Sequence, residues 1–422
     1  MKLIAGLVLC CCLVGHALAL NNELESHPSP YLALHGDDPV AWQEWGPEAF
    51  AAAQRENKLV YVSVGYFSCH WCHVMQDESY QHPDIAKILN RHFIPVKVDR
   101  ELQPALDEAL MAFVQSTQGR GGWPLNVFLT PEGYPLYAVL YVPPESFAEV
   151  IGKIHALWRE DPQRIAAVAR QHGPNGFADK SADLDAAEVL ALGKVFEEMT
   201  LGLADIFEGG FGNQSRFPHV PQLDYLLHRY DREPNAQIRE VLETTLDAMA
   251  QRGLHDHVES GFFRYTVDPG WSVPHFEKML YDNAQLAKLF LNAGRVLGRA
   301  DYSAVGFATL DFMLTAMQGE NGAMIASLSA IDTLGREGAY YLFDDDVLAQ
   351  ALTPDEERVL RTVWSLPDAA AFDYGHLLVN QAPPELAAMQ LGSAPDELER
   401  TLASAMGKLK EMRLERSLPG DN

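Results

Sequence analysis

The sequence predicts a chain in two parts: a mixed α/β domain over roughly residues 45–160, then a mainly α-helical half from about residue 183. Three observations predict it. Short β-rich apolar runs alternate with helical segments in the first part. A Cys-x-x-Cys pair, Cys69-His70-Trp71-Cys72, falls just after one of those runs and before a helical stretch. From about residue 183 apolar residues recur at helical spacing instead, with no series of strand, turn and strand.

The elements follow in order. Residues 21–50 form an arm rich in turn formers and aromatics, where Ser29-Pro30 and Asp38-Pro39 favour extended or turn backbone. Pro47 opens a helix, PEAFAAAQREN. KLVYVSVG (58–65) is the first strand and ends at Gly65, and the cysteines follow in YFSCHWCHVMQDESY. DIAKILN (84–90) is helical, HFIPVKVDR is a second strand, and residues 102–118 return to helix. Gly119-Arg120-Gly121-Gly122-Trp123-Pro124 leads into a third strand, LNVFLT; Pro131-Glu132-Gly133 is a turn and PLYAVLYV a fourth strand. ADKSADLD (178–185) reads as a linker. Beyond it AAEVLALGKVFEEM, QLDYLLHRY, IREVLETTLDAMAQRGL, NAQLAKLFLNAGRVLG and YSAVGFATLDFMLTAM read as helices, and the short AYYLF (339–343) as a strand.

The formal net charge of −26 argues against a phosphate-backbone partner, so no nucleic-acid binding is expected. Residues 1–19 have the layout of a secretory signal: Lys2, an apolar run from Leu3 to Val14, then Ala17-Leu18-Ala19 with cleavage expected after Ala19. An uncleaved anchor is the competing reading, but the run is short for a bilayer and no later stretch would span one. The expected location is periplasmic or secreted. Of the 5 cysteines, Cys10, Cys11 and Cys12 lie in this segment, so cleavage leaves Cys69 and Cys72. An oxidising compartment suits such a pair cycling as a disulfide.

A thiolate at a helix start is stabilised there, so Cys69 is expected to be the nucleophile and Cys72 the resolving cysteine. His70, when protonated, would lower the Cys69 pKa further. In thioredoxin-like folds a cis-proline faces the cysteine pair, and Trp123-Pro124 stands where that proline would be; a trans proline at a strand start is the alternative. Other readings of the same residues are c-type haem attachment through Cys69, Cys72 and His73, a metal site with His70 and His73, and an inert buried pair. No metal and no cofactor are expected beyond that haem alternative.

The stretches SPYLALH (29–35), DPVAWQEWGPEAF (38–50), GYFSCHWCHVM (65–75), VKVDRE (96–101) and GGWPLNVFLTPEG (121–133) resemble the thioredoxin-like family typified by spermatogenesis-associated protein 20. GGFGNQSRFPH (209–219), GFFRYTVDPGWSVPHFEKMLYDNAQLA (261–287) and REGAYYLF (336–343) extend the resemblance through the second half. It implies a thioredoxin-like domain with its arm over 22–175, followed by an all-α, partial (α/α)6-toroid-like domain over 183–422, like that of six-hairpin glycosidases and sugar epimerases. Three departures stand out. Members usually run longer, so helix faces meant for absent partners would be exposed or would pair with another chain. The family's Asp-rich segment reads AIDTLG (330–335), keeping Asp332 but with Ala330 for the first acid. Thioredoxin carries a buried acid on the strand before its cysteines, and Ser63 stands there instead.

WSVPHFEKMLYDN (271–283) concentrates His275, Glu277, Lys278, Tyr281 and Asp282. With His275 and Glu277 at a helix start, Glu277 and Tyr281 would share one face, as would Lys278 and Asp282. A toroid bore lined by these groups, with Asp256, Arg264 and Trp271, could bind or cleave a sugar; a hydrogen-bonded packing motif is the alternative. The expected activity is that of an exported thiol-disulfide oxidoreductase acting on protein thiols or a redox partner. A carbohydrate-binding or carbohydrate-modifying protein, or a non-catalytic interaction protein, is the alternative.

Overall fold

The computed structural model describes residues 20–171, 185–319, 321–379 and 382–420. The expected signal (1–19), nearly all of the expected linker and both expected domain limits between them (175 and 183) lie outside the described residues. The chain divides into two compact units. Among the described residues the first holds 20–65 and 71–171, and the second holds 66–70 and 185–420.

In the first unit, α1 (Pro30–Leu34) and α2 (Pro47–Glu56) precede β1 (Leu59–Gly65). Helix α3 (His70–Met75) runs into a π-helical turn, Gln76–Tyr80, and α4 (Pro83–His92) leads to β2 (Phe93–Asp99). Then come α5 (Pro104–Gln118), β3 (Leu125–Leu129), β4 (Pro135–Val139), α6 (Pro144–Glu160) and α7 (Pro162–Gln171). The sheet order is β2-β1-β3-β4, with β2 parallel to β1 and the other neighbours antiparallel.

Side chains alternate across this sheet, so its two faces differ. Val60, Val62, Val64, Ile94, Val96, Val98, Leu125, Val127 and Leu129 form one apolar face, under alanines of α2 and leucines of α5. The opposite face carries a polar row: Ser63 pairs with Lys97 on β2 and with Asn126 on β3. All three are buried. Pro95 sits on the edge strand, where a missing N–H is tolerated. The arm covers that edge: Gln43 N–H donates to Pro95 O at 2.9 Å, and Lys97 N–H donates to Gln43 O at 3.1 Å.

The second unit is built of helices α8 (Ala186–Leu203), α9 (Val220–Arg232), α10 (Ala236–Gln251), α11 (Leu280–Leu297), α12 (Ala300–Ala316), α13 (Asp345–Ala351), α14 (Pro354–Val363), α15 (Pro384–Leu391) and α16 (Pro395–Leu414). A short turn at the left-handed Gly298 joins α11 and α12 into a hairpin. Leu223, Leu226, Leu242, Leu246, Phe262, Leu286 and Phe290 form a central core with Trp271. A capping box between Asp185 and Glu188 starts α8, and α8 exposes Val189, Leu192, Phe196, Met199 and Leu203 along one side.

Two expectations are corrected. His275 and Glu277 are not at a helix start. Pro274–His275 is a two-residue strand paired with Tyr265–Thr266, Lys278–Met279 pairs with Ser327–Leu328, and α11 begins only at Leu280. The pairs Glu277 with Tyr281 and Lys278 with Asp282 therefore do not share a helix face. The AYYLF stretch is a turn, not a strand: Tyr341 and Leu342 N–H both return to Gly338 O. Gly338 takes φ 72°, and a Cβ there would lie 2.5 Å from the Phe276 ring.

Candidate redox centre

Cys69 and Cys72 are disulfide-bonded, and both sulfur-bearing side chains are buried. Cys69 stands immediately before α3, and its N–H donates to Tyr66 O at 3.2 Å. Cys72 lies one helical turn on, inside α3. Gly65, the last residue of β1, lets Cys72 approach the strand. A Cβ at Gly65 would lie 2.8 Å from Cys72 Sγ and 2.1 Å from Tyr31 Oη. Trp71, between the cysteines, is 46% exposed and packs on Tyr141. Trp123-Pro124 is a cis peptide. Trp123 is held by a 2.7 Å hydrogen bond from its Nε1 to Asp107 and by the Arg100 guanidinium 4.2 Å from its ring.

A buried polar network lies on the Ser63 face of the sheet. Asp38 accepts from Trp42 Nε1 at 2.8 Å, from Gln76 at 2.9 Å and from Gln81 at 2.6 Å, and pairs with His35 Nδ1 at 2.7 Å. Burial, reinforced by Lys97, pushes His35 down to about 3 against the pull of Asp38, so its ring is neutral. Lys97 Nζ donates to Ser63 Oγ at 3.1 Å and stands 4.5 Å from the Tyr80 ring centre, 5.1 Å from Trp42 and 5.3 Å from Tyr31. Burial lowers Lys97 to about 7, only partly opposed by Asp38. Tyr61 and Tyr80 hydroxyls both donate to Asn126 Oδ1, at 2.7 and 2.9 Å.

The second unit holds most of the polar residues singled out in WSVPHFEKMLYDN. His275 bridges two carboxylates: Nε2 to Glu277 at 2.8 Å and Nδ1 to Glu337 at 3.1 Å. Burial alone would lower its pKa, but the two hydrogen bonds outweigh that and raise it to about 9. Tyr66 Oη donates to Glu277 at 3.1 Å. Arg264 approaches Glu277 at 3.9 Å and hydrogen-bonds Tyr281 Oη. His70 Nε2 lies 3.9 Å from Glu337, and burial lowers its pKa, partly offset by that carboxylate. Asp256 belongs to a neighbouring cluster, within 2.7 Å of both Lys278 Nζ and Arg413 Nη1. Asp282 stands in the first turn of α11. Trp271 is core: it is fully buried and its Nε1 donates to Glu208 O and Gly209 O.

The structure thus brings together His275, Glu277 and Arg264, joins Asp256 to Lys278, and places Trp271 in the apolar core. Sequence reasoning missed Lys97, Tyr66, Glu337 and Arg413 as members of these networks. Strand alternation in FIPVKVD was the available signal for Lys97; no local pattern marked the other three. A cavity of about 350 Å³ in the second unit is lined by His275, Glu337, Phe372, Asp373 and Tyr374 among others. Beside it, one of about 580 Å³ includes Asp332, Arg336, Tyr340, Phe372, Tyr374 and Arg416. Among the described residues no group of three or more His, Cys, Asp or Glu is placed to hold a metal ion, and no helix is long and apolar enough to cross a membrane.

Comparison with known proteins is consistent with this architecture. Residues 21–173 match the family model Thioredox_DsbH, whose description is "Protein of unknown function, DUF255". The chain is 36% identical over 354 residues to spermatogenesis-associated protein 20 of Homo sapiens, covering 78% of this chain and 44% of that protein. An uncharacterized Caenorhabditis elegans protein is 38% identical over 278 residues, covering 63% of this chain and 38% of its own length. The chain therefore spans less than half the length of the curated relatives it matches. Solved structures with detectable likeness include a DsbH oxidoreductase (19% identity, 28% of this chain and 85% of that one, TM-score 0.24). A sugar epimerase from a ruminal bacterium is another (13% identity, 52% and 51%, TM-score 0.30). With its cysteine pair following β1 and its mixed four-stranded sheet, the region 21–173 belongs to the DsbH-like thioredoxin family, within a chain homologous to the spermatogenesis-associated protein 20 proteins.

Proposed function

We propose that the chain is an exported thiol-disulfide oxidoreductase. The observation that carries the reading is the closed Cys69–Cys72 disulfide between β1 and α3 in a thioredoxin-like domain. In the reduced form, the Cys69 thiolate attacks a disulfide of a protein partner and expels one partner thiolate, giving a mixed disulfide. The Cys72 thiolate then attacks Cys69 Sγ, closes the intramolecular disulfide and releases the second partner thiol. Two electrons pass to the partner, and a dithiol reductant returns the pair to its starting state; the reverse direction oxidises partner thiols. Cis-Pro124, Trp123 and His70 are assigned to partner binding and to tuning of Cys69.

Insulin reduction by wild type and Cys69→Ser tests the chemistry. Loss of turnover in the variant is expected, and equal rates overturn the reading. Export rests on residues 1–19, and N-terminal sequencing of secreted protein is expected to begin at Leu20. A Soret band in the purified chain would replace the redox reading with haem at Cys69, Cys72 and His73.

A second reading, sugar binding by the helical unit, is favoured by the two adjoining cavities, where Tyr340, Phe372 and Tyr374 stand beside Asp332, Asp373 and Arg336. A saccharide array with thermal-shift follow-up tests it. No sugar that shifts the melting temperature ends that reading.

A further inference from the structure

Resting on the oxidoreductase reading, we propose that Lys97 is the buried proton-exchanging group of the redox centre, taking up the proton that Cys72 gives up when it becomes the attacking thiolate. Lys97 pairs with Ser63 in the strand register, and Gly65, two residues on, faces the same side of β1. Cys72 Sγ and Tyr31 Oη both crowd the space a Gly65 side chain would occupy. The ring of that same Tyr31 lies 5.3 Å from Lys97 Nζ. Tyr31 thus spans the gap between the resolving cysteine and the lysine amine.

The titratable groups around Lys97 are Tyr31 and His35 from α1 and the residue after it, Asp38 from the arm, Tyr80 from the π-helical turn, and Tyr61 from β1, whose hydroxyl meets that of Tyr80 at 3.0 Å. Two residues on along β2, the buried Asp99 stands opposite Gly65 in the register and accepts from Ser29 Oγ at 2.6 Å. Asp38 is held ionised by four hydrogen-bonding partners, with its pKa kept low by His35, Gln76 and Trp42 against the effect of burial. His35 is kept neutral by burial. Burial raises both Tyr61 and Tyr80, so neither hydroxyl ionises near neutrality. Lys97 has no carboxylate within 4.0 Å among the described residues to fix its charge. Three aromatic rings and the Ser63 hydroxyl solvate the ammonium weakly, so the amine and ammonium forms lie close in free energy near pH 7.

In the mixed disulfide, the Cys72 S–H bond breaks and its proton goes to the Lys97 amine, giving ammonium. The Cys72 thiolate forms a bond to Cys69 Sγ as the bond from Cys69 to the partner breaks. The departing partner thiolate is protonated by solvent. Re-reduction by the dithiol returns a proton to Cys72 and the amine to Lys97.

The experiment is peptide-resolved iodoacetamide alkylation of Cys72 in the reduced full chain across pH, a readout that needs no redox partner. Lys97→Met is expected to raise the midpoint of the Cys72 profile by one pH unit or more, slowing alkylation about tenfold at pH 7. Lys97→Arg keeps a permanent cation and is expected to lower the midpoint. An unchanged midpoint in both variants overturns the proposal. Tyr31→Phe keeps the ring and is expected to slow alkylation; a wild-type profile there removes Tyr31 from the route. If Lys97→Met fails to fold, the Lys97 Nζ titration of wild type, read by NMR in the oxidised and reduced chain, decides. Midpoints one unit or more apart support the proposal, and identical midpoints overturn it. A shifted Cys72 profile without insulin reduction would retain the proton role and remove the proposed function; the converse would do the opposite.

Discussion

Arg413 places Nη1 at 2.7 and 2.9 Å from the two carboxylate oxygens of Asp256, a residue 157 positions earlier in the chain. Its Nη2 donates to Tyr341 O at 2.7 Å, while Lys278 Nζ holds the same Asp256 carboxylate at 2.7 Å. One carboxylate thus ties α16 to the short strand Lys278–Met279 with every group out of water.

Breaking this cluster is expected to be costly, because removing one partner leaves the others buried and uncompensated. Asp256→Asn should lower the unfolding free energy by about 3–5 kcal/mol, read from urea midpoints at pH 7. A loss below about 1 kcal/mol would show that the site takes up water instead. Despite burial, Arg413 and Lys278 hold the Asp256 pKa below the ordinary carboxylate range. Its contribution is therefore present above about pH 4 and lost as pH falls further, so the gap between wild type and variant should narrow in acid.

His275 has the opposite sign. Its folded pKa of about 9 lies above the ordinary 6.5. The stabilisation is complete below pH 6.5 and disappears as pH rises through 9. Melting temperatures of wild type and His275→Gln are expected to differ most at pH 6 and to converge by pH 10. A gap independent of pH would mean that the imidazole is bound neutral.

Lys97 should act as a cost in acid. Its folded pKa of about 7 lies below the ordinary 10.5, so the unfolded chain binds more protons between those limits. The lysine's contribution to stability therefore improves as pH rises from 7 to 10.5 and is least favourable below 7. Lys97→Met is expected to be as stable as wild type or more so at pH 6, with the advantage shrinking towards pH 10. Denaturant midpoints at the two pH values check it.

Gly65→Ala tests the close approach of Cys72 and Tyr31 to β1. The added methyl must displace one of them, so a loss of about 1–3 kcal/mol is expected, with a changed Cys72 alkylation rate. Unaltered stability would mean that Tyr31 swings aside freely.

Much of the first unit was legible because its strands are short apolar runs, buried throughout in β1, β2 and β3, and its helices start at prolines. Pro47, Pro83, Pro104 and Pro144 each open one. Helices α8 to α12 of the second unit were equally plain from their apolar spacing, whereas α13 to α16, between Asp345 and Leu414, went unread. His275 and Lys278 were misplaced because a two-residue strand has no period to read, and the helical pattern of NAQLAKLF was extended backwards over them. Glu337 and Arg413 join their partners across 62 and 157 positions, a relation that no local window contains. Ser63 stands where thioredoxin carries an acid, and across the register it faces Lys97, a relation between strands that the local sequence does not display.

The arm on the edge of β2 gives the domain a minimum starting point. Gln43 Nε2 donates to Asn21 O at 2.7 Å, Asn22 Nδ2 reaches His35 O at 2.7 Å and Gly36 O at 2.9 Å, and Glu23 N–H reaches Trp42 O at 3.0 Å. A cut after Ala19 keeps all of these bonds. A cut only three residues later removes Asn21 and Asn22, and with them the Gln43 side-chain bond to Asn21 O and the Asn22 bonds to His35 O and Gly36 O. Whoever trims or tags this protein has almost no slack ahead of Asn21, whose carbonyl takes the first of these bonds.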